Sequence, residues 1–423
     1  ANLNTGKSPD QPMASLSALL RAYDLDAGDT IFVDTGTYNL VSDILLVAED
    51  TGVTIQGPTT DVALFDRGNT NSSSDVFELA GADDVTIANL SITGGKYGIH
   101  GPSNADSDNV TISGNKVFAN SSSGIYLLRT NDNPVITNNT VFGFPGGSSA
   151  TDKQSYGIWM DGNNPLVTDN TVYQSVYGIS IYNGGTTVNN HVYDNDIGIY
   201  SAYGTVRNNL VHDNSTGIQG HETALVEDNT VYGHSNAGIS LSRFYADGPT
   251  AIRNTVFSNY DGIVTGTGAD VLENRVYGNL NTGIRADGIG STRNNVVYFN
   301  TIGIHVGYSA RDVSNNLIYQ NTSTGVVVSS RGGNAEIVNN TIYQPDGNAV
   351  SVQDQSRDVT LRNNILWSET GYGVTVSSDS QLDFSSDYNI IHTPNGTLSL
   401  WGGVEFTSRA DWFYELGFDQ NSR

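Results

Sequence analysis

Tyr182, Ala202 and His221 occupy one position in successive copies of a repeat, with Tyr200 close by and Arg243 beyond His221. A phenol, an imidazole and a guanidinium grouped this way suit proton transfer beside a carboxylate. Arg243, or Lys153 in its place, would neutralise the acid group. His221 would remove the proton from the adjacent carbon, and Tyr200 or Tyr182 would protonate an oxygen or the carbanion. That is the chemistry of β-elimination or epimerisation of a sugar acid. The small Ala202 leaves a depression between Tyr182 and His221. Trp159, Tyr126, Arg129, Lys153, Asp161, Arg285, Asp287 and His305 form the expected substrate-binding set, combining aromatic surface with convergent polar groups. Hydrolysis of a glycosidic bond would need two facing carboxylates. The candidates Asp161, Glu222 and Asp287 are spread over several repeats. Asp106 and Asp108, within Asn104–Asn109, carry the oxygen donors that calcium takes. No cofactor is required for this chemistry, and Ca2+ is the one candidate ion.

The elements that must hold these side chains repeat. From about residue 84 to 380, about thirteen copies recur every 19 to 26 residues or so. Each has Asn-Asn, a β-branched pair with an aromatic, and then Gly-Ile or Gly-Val. Asn208-Asn209-Leu210-Val211-His212 leading to Gly217-Ile218 is one example, and Asn294-Asn295-Val296-Val297-Tyr298 leading to Gly303-Ile304 is another. The runs are short, β-branched and bounded by Gly and Asn, so they are strands and turns without helical period. Such strands bury their faces only by stacking coil on coil. The expected fold is all-β, a right-handed parallel β-helix of about 13–14 coils, roughly 65 Å long at the spacing of paired strands. It is a single domain over 1–423, with an N-terminal cap and first coil over 1–40, regular repeats over 84–380 and a C-terminal cap over 381–423. A short helix opening at Gln11-Pro12-Met13 places Leu16, Leu19, Leu20 and Tyr23 on one face. Alternation after each Gly-Ile turns His100, Tyr126, Trp159, Ser180, Tyr200, Arg285 and His305 outward in one column. Each Asn-Asn predicts a side-chain ladder between coils. The column from Phe118 through Tyr173 to Trp367 predicts a structural aromatic stack.

Composition narrows the partners. A net charge of −25 over 423 residues argues against nucleic acid, which is bound through basic surfaces. The absence of cysteine excludes disulfides and thiolate metal sites. No apolar run is long enough to insert in a membrane. The expected partner is a polysaccharide, the expected state a monomer, and the expected location secreted or cell-surface.

The opening Gly28-Asp29-Thr30-Ile31-Phe32-Val33, the Asn-Asn to Gly-Ile repeats and the closing Asp411-Trp412 to Asn421-Ser422 segment resemble bacterial right-handed parallel β-helix (PbH1 repeat) proteins. That broad group includes polysaccharide lyases, mannuronan C5-epimerases, glycoside hydrolases and adhesin segments. The resemblance implies a lyase or epimerase of an acidic polysaccharide. A non-catalytic glycan-binding adhesin or cell-surface rod is the alternative from another class, a glycoside hydrolase the second, and a trimeric tailspike the weakest.

Overall fold

The computed structural model describes residues 4–68, 73–144, 153–245, 247–308, 312–329 and 333–423. The chain divides into two compact units, Ala1–Val211 and His212–Arg423. Both are built from right-handed turns of three short strands each, and the fold is a parallel β-solenoid of about 15 turns. Part of the excess over the expected number lies at the start. Thr54–Gln56, Ala63–Asp66 and Phe77–Ala80 complete a turn that carries neither Asn-Asn nor Gly-Ile.

In the first unit, strands stack in parallel register in three sheets. Thr30–Phe32 pairs with Thr54–Gln56, Gly36–Asn39 with Ala63–Asp66, and Ile44–Val47 with Phe77–Ala80. The middle residue of each three-residue strand points inward. Ile87, Ile112, Ile136 and Val167 are fully buried on the first sheet, and Val117, Val141, Val172 and Val192 on the second. Gly157 lies where the chain enters the third sheet. A Cβ there would sit 2.4 Å from Val172 Cγ1 and 2.5 Å from the Gly178 carbonyl oxygen, so any side chain would force the turns apart. This contact explains why each copy places Gly before the inward Ile or Val.

The Asn-Asn pair divides two tasks. Asn138, Asp169 and Asn189 adopt left-handed backbone with φ near 56°, which Asn and Asp tolerate best after Gly. The next residue forms the ladder. Asn170 Oδ1 accepts from the amide and side chain of Asn139, while Asn170 Nδ2 donates to the Ile136 carbonyl and to Asn190 Oδ1. Buried polar groups at the corner are thereby satisfied. Phe118, Phe142, Tyr173 and Tyr193 stack at 4.8 to 5.3 Å with interplanar angles of 2° to 10°, as expected of a structural column.

The helix of this unit is Leu16–Ala22, starting later than Gln11-Pro12-Met13. Ser15 Oγ accepts from the Ala18 amide and fixes the start. Leu16 is its buried residue.

In the second unit the same three strands recur from Thr216–His221 to Thr397–Trp401, beyond the 380 expected for the last repeat. One ladder runs from Asn229 through Asn254, Asn274, Asn295, Asn316, Asn340 and Asn364 to Asn389. A second runs from Asn214 to His234, passes through Asn259, Asn279, Asn300 and Asn321, and reaches Gln344. Beyond Thr397–Trp401 come an antiparallel strand, Val404–Phe406, and the helix Arg409–Leu416. Trp412 and Asp419 are fully buried there. Asp419 accepts from Trp412 Nε1, Ser386 Oγ, Asn389 Nδ2 and Ser422 Oγ, closing the first ladder.

Candidate functional site

The outward face of the third sheet in the first unit carries the densest chemistry. Register pairs Glu78 with His100, His100 with Tyr126, Tyr126 with Trp159, Trp159 with Ser180 and Ser180 with Tyr200. The outward column is therefore where alternation put it. A second line was missed. Tyr97, Tyr156 and Tyr177 precede the inward Gly-Ile pair and also face outward. Tyr97 stacks on Tyr126 at 4.7 Å and 3°, Tyr156 meets Trp159 edge-on at 4.4 Å, and Tyr156 stacks on Tyr177 at 5.2 Å. The signal was present in the thrice-repeated Tyr-Gly-Ile, but alternation started at the glycine does not reach the residue before it. Trp159 continues to Tyr182 at 4.7 Å and Tyr182 to Tyr200 at 5.0 Å. Two buried polar atoms in mid-face, Trp159 Nε1 and Ser180 Oγ, lack hydrogen-bond partners among the described residues.

Burial raises the Tyr126 phenol above its ordinary value, with Tyr97 and Asp161 adding to the effect. It stays protonated and able to donate. Asp161 is raised by burial, against Arg129 at 3.8 Å. Lys153 does not face the rings unpaired, since its Nζ lies 2.7 Å from Asp196 Oδ1.

At the other end of the face stand two groups that the sequence reading did not place in the site, Asp75 and Glu78. His100 Nδ1 is 2.6 Å from Asp75 Oδ2, and the Tyr97 amide donates to Asp75 Oδ1. Glu78 is raised by burial and by the charge of Asp75. The carboxylates of Asp43, Asp75 and Glu78 offer oxygens within 4.8 Å of one another. Arg67 bonds Asp43, so the protein itself supplies positive charge there, and His100 bonds Asp75. Asp106 and Asp108 are not in this group. Asp108 sits in a turn, where its Oδ1 accepts the Asp132 amide.

In the second unit, His221 Nδ1 is 2.9 Å from Ser242 Oγ, and the Phe244 ring lies parallel to the imidazole at 5.8 Å. The buried Glu222 carboxylate accepts the Phe244 and Tyr245 amides and fixes that loop. A Cβ on Gly268 would meet Arg243 Nε at 2.5 Å, so the guanidinium packs over that turn. Arg285, Asp287 and His305 are brought together. Arg285 Nε is 2.8 Å from Asp287 and its Nη1 3.8 Å from the buried Asp261. His305 Nε2 is 2.6 Å from Ser329 Oγ and its Nδ1 3.8 Å from Asp287. Held by two carboxylates, Arg285 is a weak partner for a substrate acid. Of the four residues expected to do the proton chemistry, Tyr182 and Tyr200 belong to the first unit and His221 and Arg243 to the second.

Burial lowers both His221 and His305 below 6.5, against the opposing charges of Glu222 and Asp287. Burial therefore favours the neutral imidazole in both. As pH falls below 6.5 the unfolded chain binds protons that the folded chain resists, so stability is lost from there down through the depressed folded values. The urea midpoint of the chain is expected to fall between about pH 7 and 5, and the His221→Gln/His305→Gln double variant to flatten that slope. Equal slopes in both proteins would refute the assignment. The raised carboxylates of the first unit act oppositely and at lower pH: they stabilise at acid pH and lose this as pH rises through their folded values.

The family described as "Right handed beta helix region" matches residues 156–302 and 244–389, together more than half of the chain. The family described as "Periplasmic copper-binding protein (NosD)" matches residues 27–215. Copper favours thiolate, thioether and imidazole ligands, which fits poorly here. The sequence has no cysteine and two methionines, and the potential metal-binding group among the described residues is all carboxylate. No curated protein matches the chain. Similar solved structures include the Azotobacter vinelandii mannuronan C-5 epimerase AlgE6 A-module, at 15% identity over 92% of this chain and 93% of that one, with a TM-score of 0.37. Pectate lyase Pel9A is 15% identical over 70% and 77%, with a TM-score of 0.44. A mannuronic acid specific family 6 polysaccharide lyase from human gut microbiota is 14% identical over 93% and 89%, with a TM-score of 0.35.

Proposed function

Because the chain belongs to the right-handed β-helix family, a scaffold that sets side chains on flat sheet faces one strand spacing apart, we propose that it binds an extended acidic polysaccharide outside the cytoplasm and acts on it as a lyase or epimerase. The observation that carries this reading is the aromatic run from Tyr97 to Tyr200 on one face of the first unit. Flat rings with polar tips suit the apolar faces and hydroxyls of sugars. Lys96, whose ammonium lies 4.6 Å from the Tyr97 ring centre, adds positive charge beside the rings in an otherwise acidic chain. That favours uronates over neutral sugars.

The test is calorimetric titration with polygalacturonate and polymannuronate, together with ultraviolet detection of unsaturated chain ends and sugar analysis for inverted residues. Binding with either product supports the full reading. Binding without product reduces it to a non-catalytic glycan-binding protein, and absence of binding to both removes it.

A further inference from the structure

We propose that His100, oriented by Asp75, is the base of the aromatic face, taking the proton from the carbon beside a uronate carboxylate. The assignment rests on the polyuronate reading above. The imidazole is held at one nitrogen only. Asp75, nearly fully buried, bonds Nδ1 at 2.6 Å and is itself anchored by the Tyr97 amide. Nε2 has no hydrogen-bond partner among the described residues. A carboxylate on Nδ1 fixes the tautomer that leaves Nε2 able to accept a proton, and it stabilises the imidazolium that results.

The position fits a bound sugar. His100 lies one strand from Tyr126 in the outward column, about 4.8 Å along the face. Its ring centre is 4.5 Å from Tyr97 and 6.0 Å from Tyr126. A uronate resting against Tyr126 would bring its C5–H toward His100 and its carboxylate toward Lys96. The C5–H bond breaks, the proton goes to Nε2, and the electron pair delocalises into the carboxylate. In elimination that pair forms the C4–C5 double bond. The C4 oxygen then leaves with its bonding electrons and takes the Tyr126 phenolic proton. In epimerisation the phenol protonates C5 from the opposite side. In either case the phenolate recovers a proton from the imidazolium, and no oxidant or reductant is needed. Asp75 is a positioning residue and Tyr126 the acid.

Both outcomes begin with the same abstraction, so one experiment covers both. The full chain is incubated with polygalacturonate and with polymannuronate in D2O, and deuterium at C5 and unsaturated ends are followed by NMR. Wild type is expected to give one or the other. His100→Gln should lose at least about 100-fold in rate, the scale of one general base, with polymer affinity unchanged. Asp75→Asn should lower kcat with KM unchanged. Tyr126→Phe, which keeps the stack, should bind normally and form no product, and it serves if His100→Gln fails to fold. A His100→Gln variant as fast as wild type overturns the assignment while the polyuronate reading stands. Binding by wild type with neither deuterium nor unsaturated ends overturns it and leaves a glycan-binding protein. Absence of binding overturns both.

Discussion

Trp159→Ala is expected to weaken binding of a polyuronate oligomer by about 30-fold, close to 2 kcal/mol, the scale of a central aromatic in a binding face. Trp159 is the hub of the first-unit face, in ring contact with Tyr126, Tyr156 and Tyr182 at 5.6, 4.4 and 4.7 Å. Removing it breaks the line from Tyr126 to Tyr182 and takes the edge contact from Tyr156. Trp159→Phe keeps a platform but not the indole nitrogen, which is buried without a partner, and should lose less. Tyr173→Ala serves as the control. Tyr173 belongs to the second-sheet stack with Phe142 and Tyr193, so its loss should lower stability and leave affinity alone. Calorimetry on the three variants decides the matter. If Trp159→Ala binds as tightly as wild type, the face is not the glycan site.

The second large effect concerns stability. Asp419→Ala is expected to cost about 3–5 kcal/mol, the range for removing one partner from a buried charged network. In the second unit that corresponds to a fall of roughly 10 °C in melting temperature. Four donors converge on this fully buried carboxylate: Trp412 Nε1, Ser386 Oγ, Asn389 Nδ2 and Ser422 Oγ. Alanine removes the acceptor of all four, and only Asn389 Nδ2 keeps another, the Leu361 carbonyl. Asparagine keeps one acceptor oxygen and turns an amide NH2 toward the other donors, so Asp419→Asn should fall between alanine and wild type. Differential scanning calorimetry measures both, and an unchanged melting temperature for Asp419→Ala would show that the ladder ends elsewhere.

The fold was legible because its determinants are local and repeated. Asn138-Asn139 and Gly157-Ile158 each state a rule about one corner or one contact, and about a dozen copies restate it. Where a turn lacks those residues, as over 54–80, the eye passes over it although its strands pair like the rest. The site was legible in part. Alternation placed His100, Tyr126, Trp159 and Tyr200 in one column, because a strand has only two faces. It could not find Asp75, which reaches His100 from a segment just before the strand Phe77–Ala80, 25 residues earlier. Pairing across turns depends on side-chain reach, which spacing does not encode. For the same reason Arg285 looked like a free cation in sequence, whereas Asp261 and Asp287 hold it.

The ladders bear on how the chain finds its register. In the second unit, Asn259, Asn279, Asn300 and Asn321 make nearly interchangeable contacts with their neighbours, so a strand displaced by one whole turn would satisfy almost every hydrogen bond it had lost. A repeated polar column is a weak address. The odd members supply the address: His234 before the asparagine run, whose ring accepts from the Asn214 amide and whose own amide donates to Asn259, and Gln344 after it, which accepts from the Asn321 amide with a longer arm. Their departures from consensus number the turns, so that a chain of near-copies assembles in a single alignment.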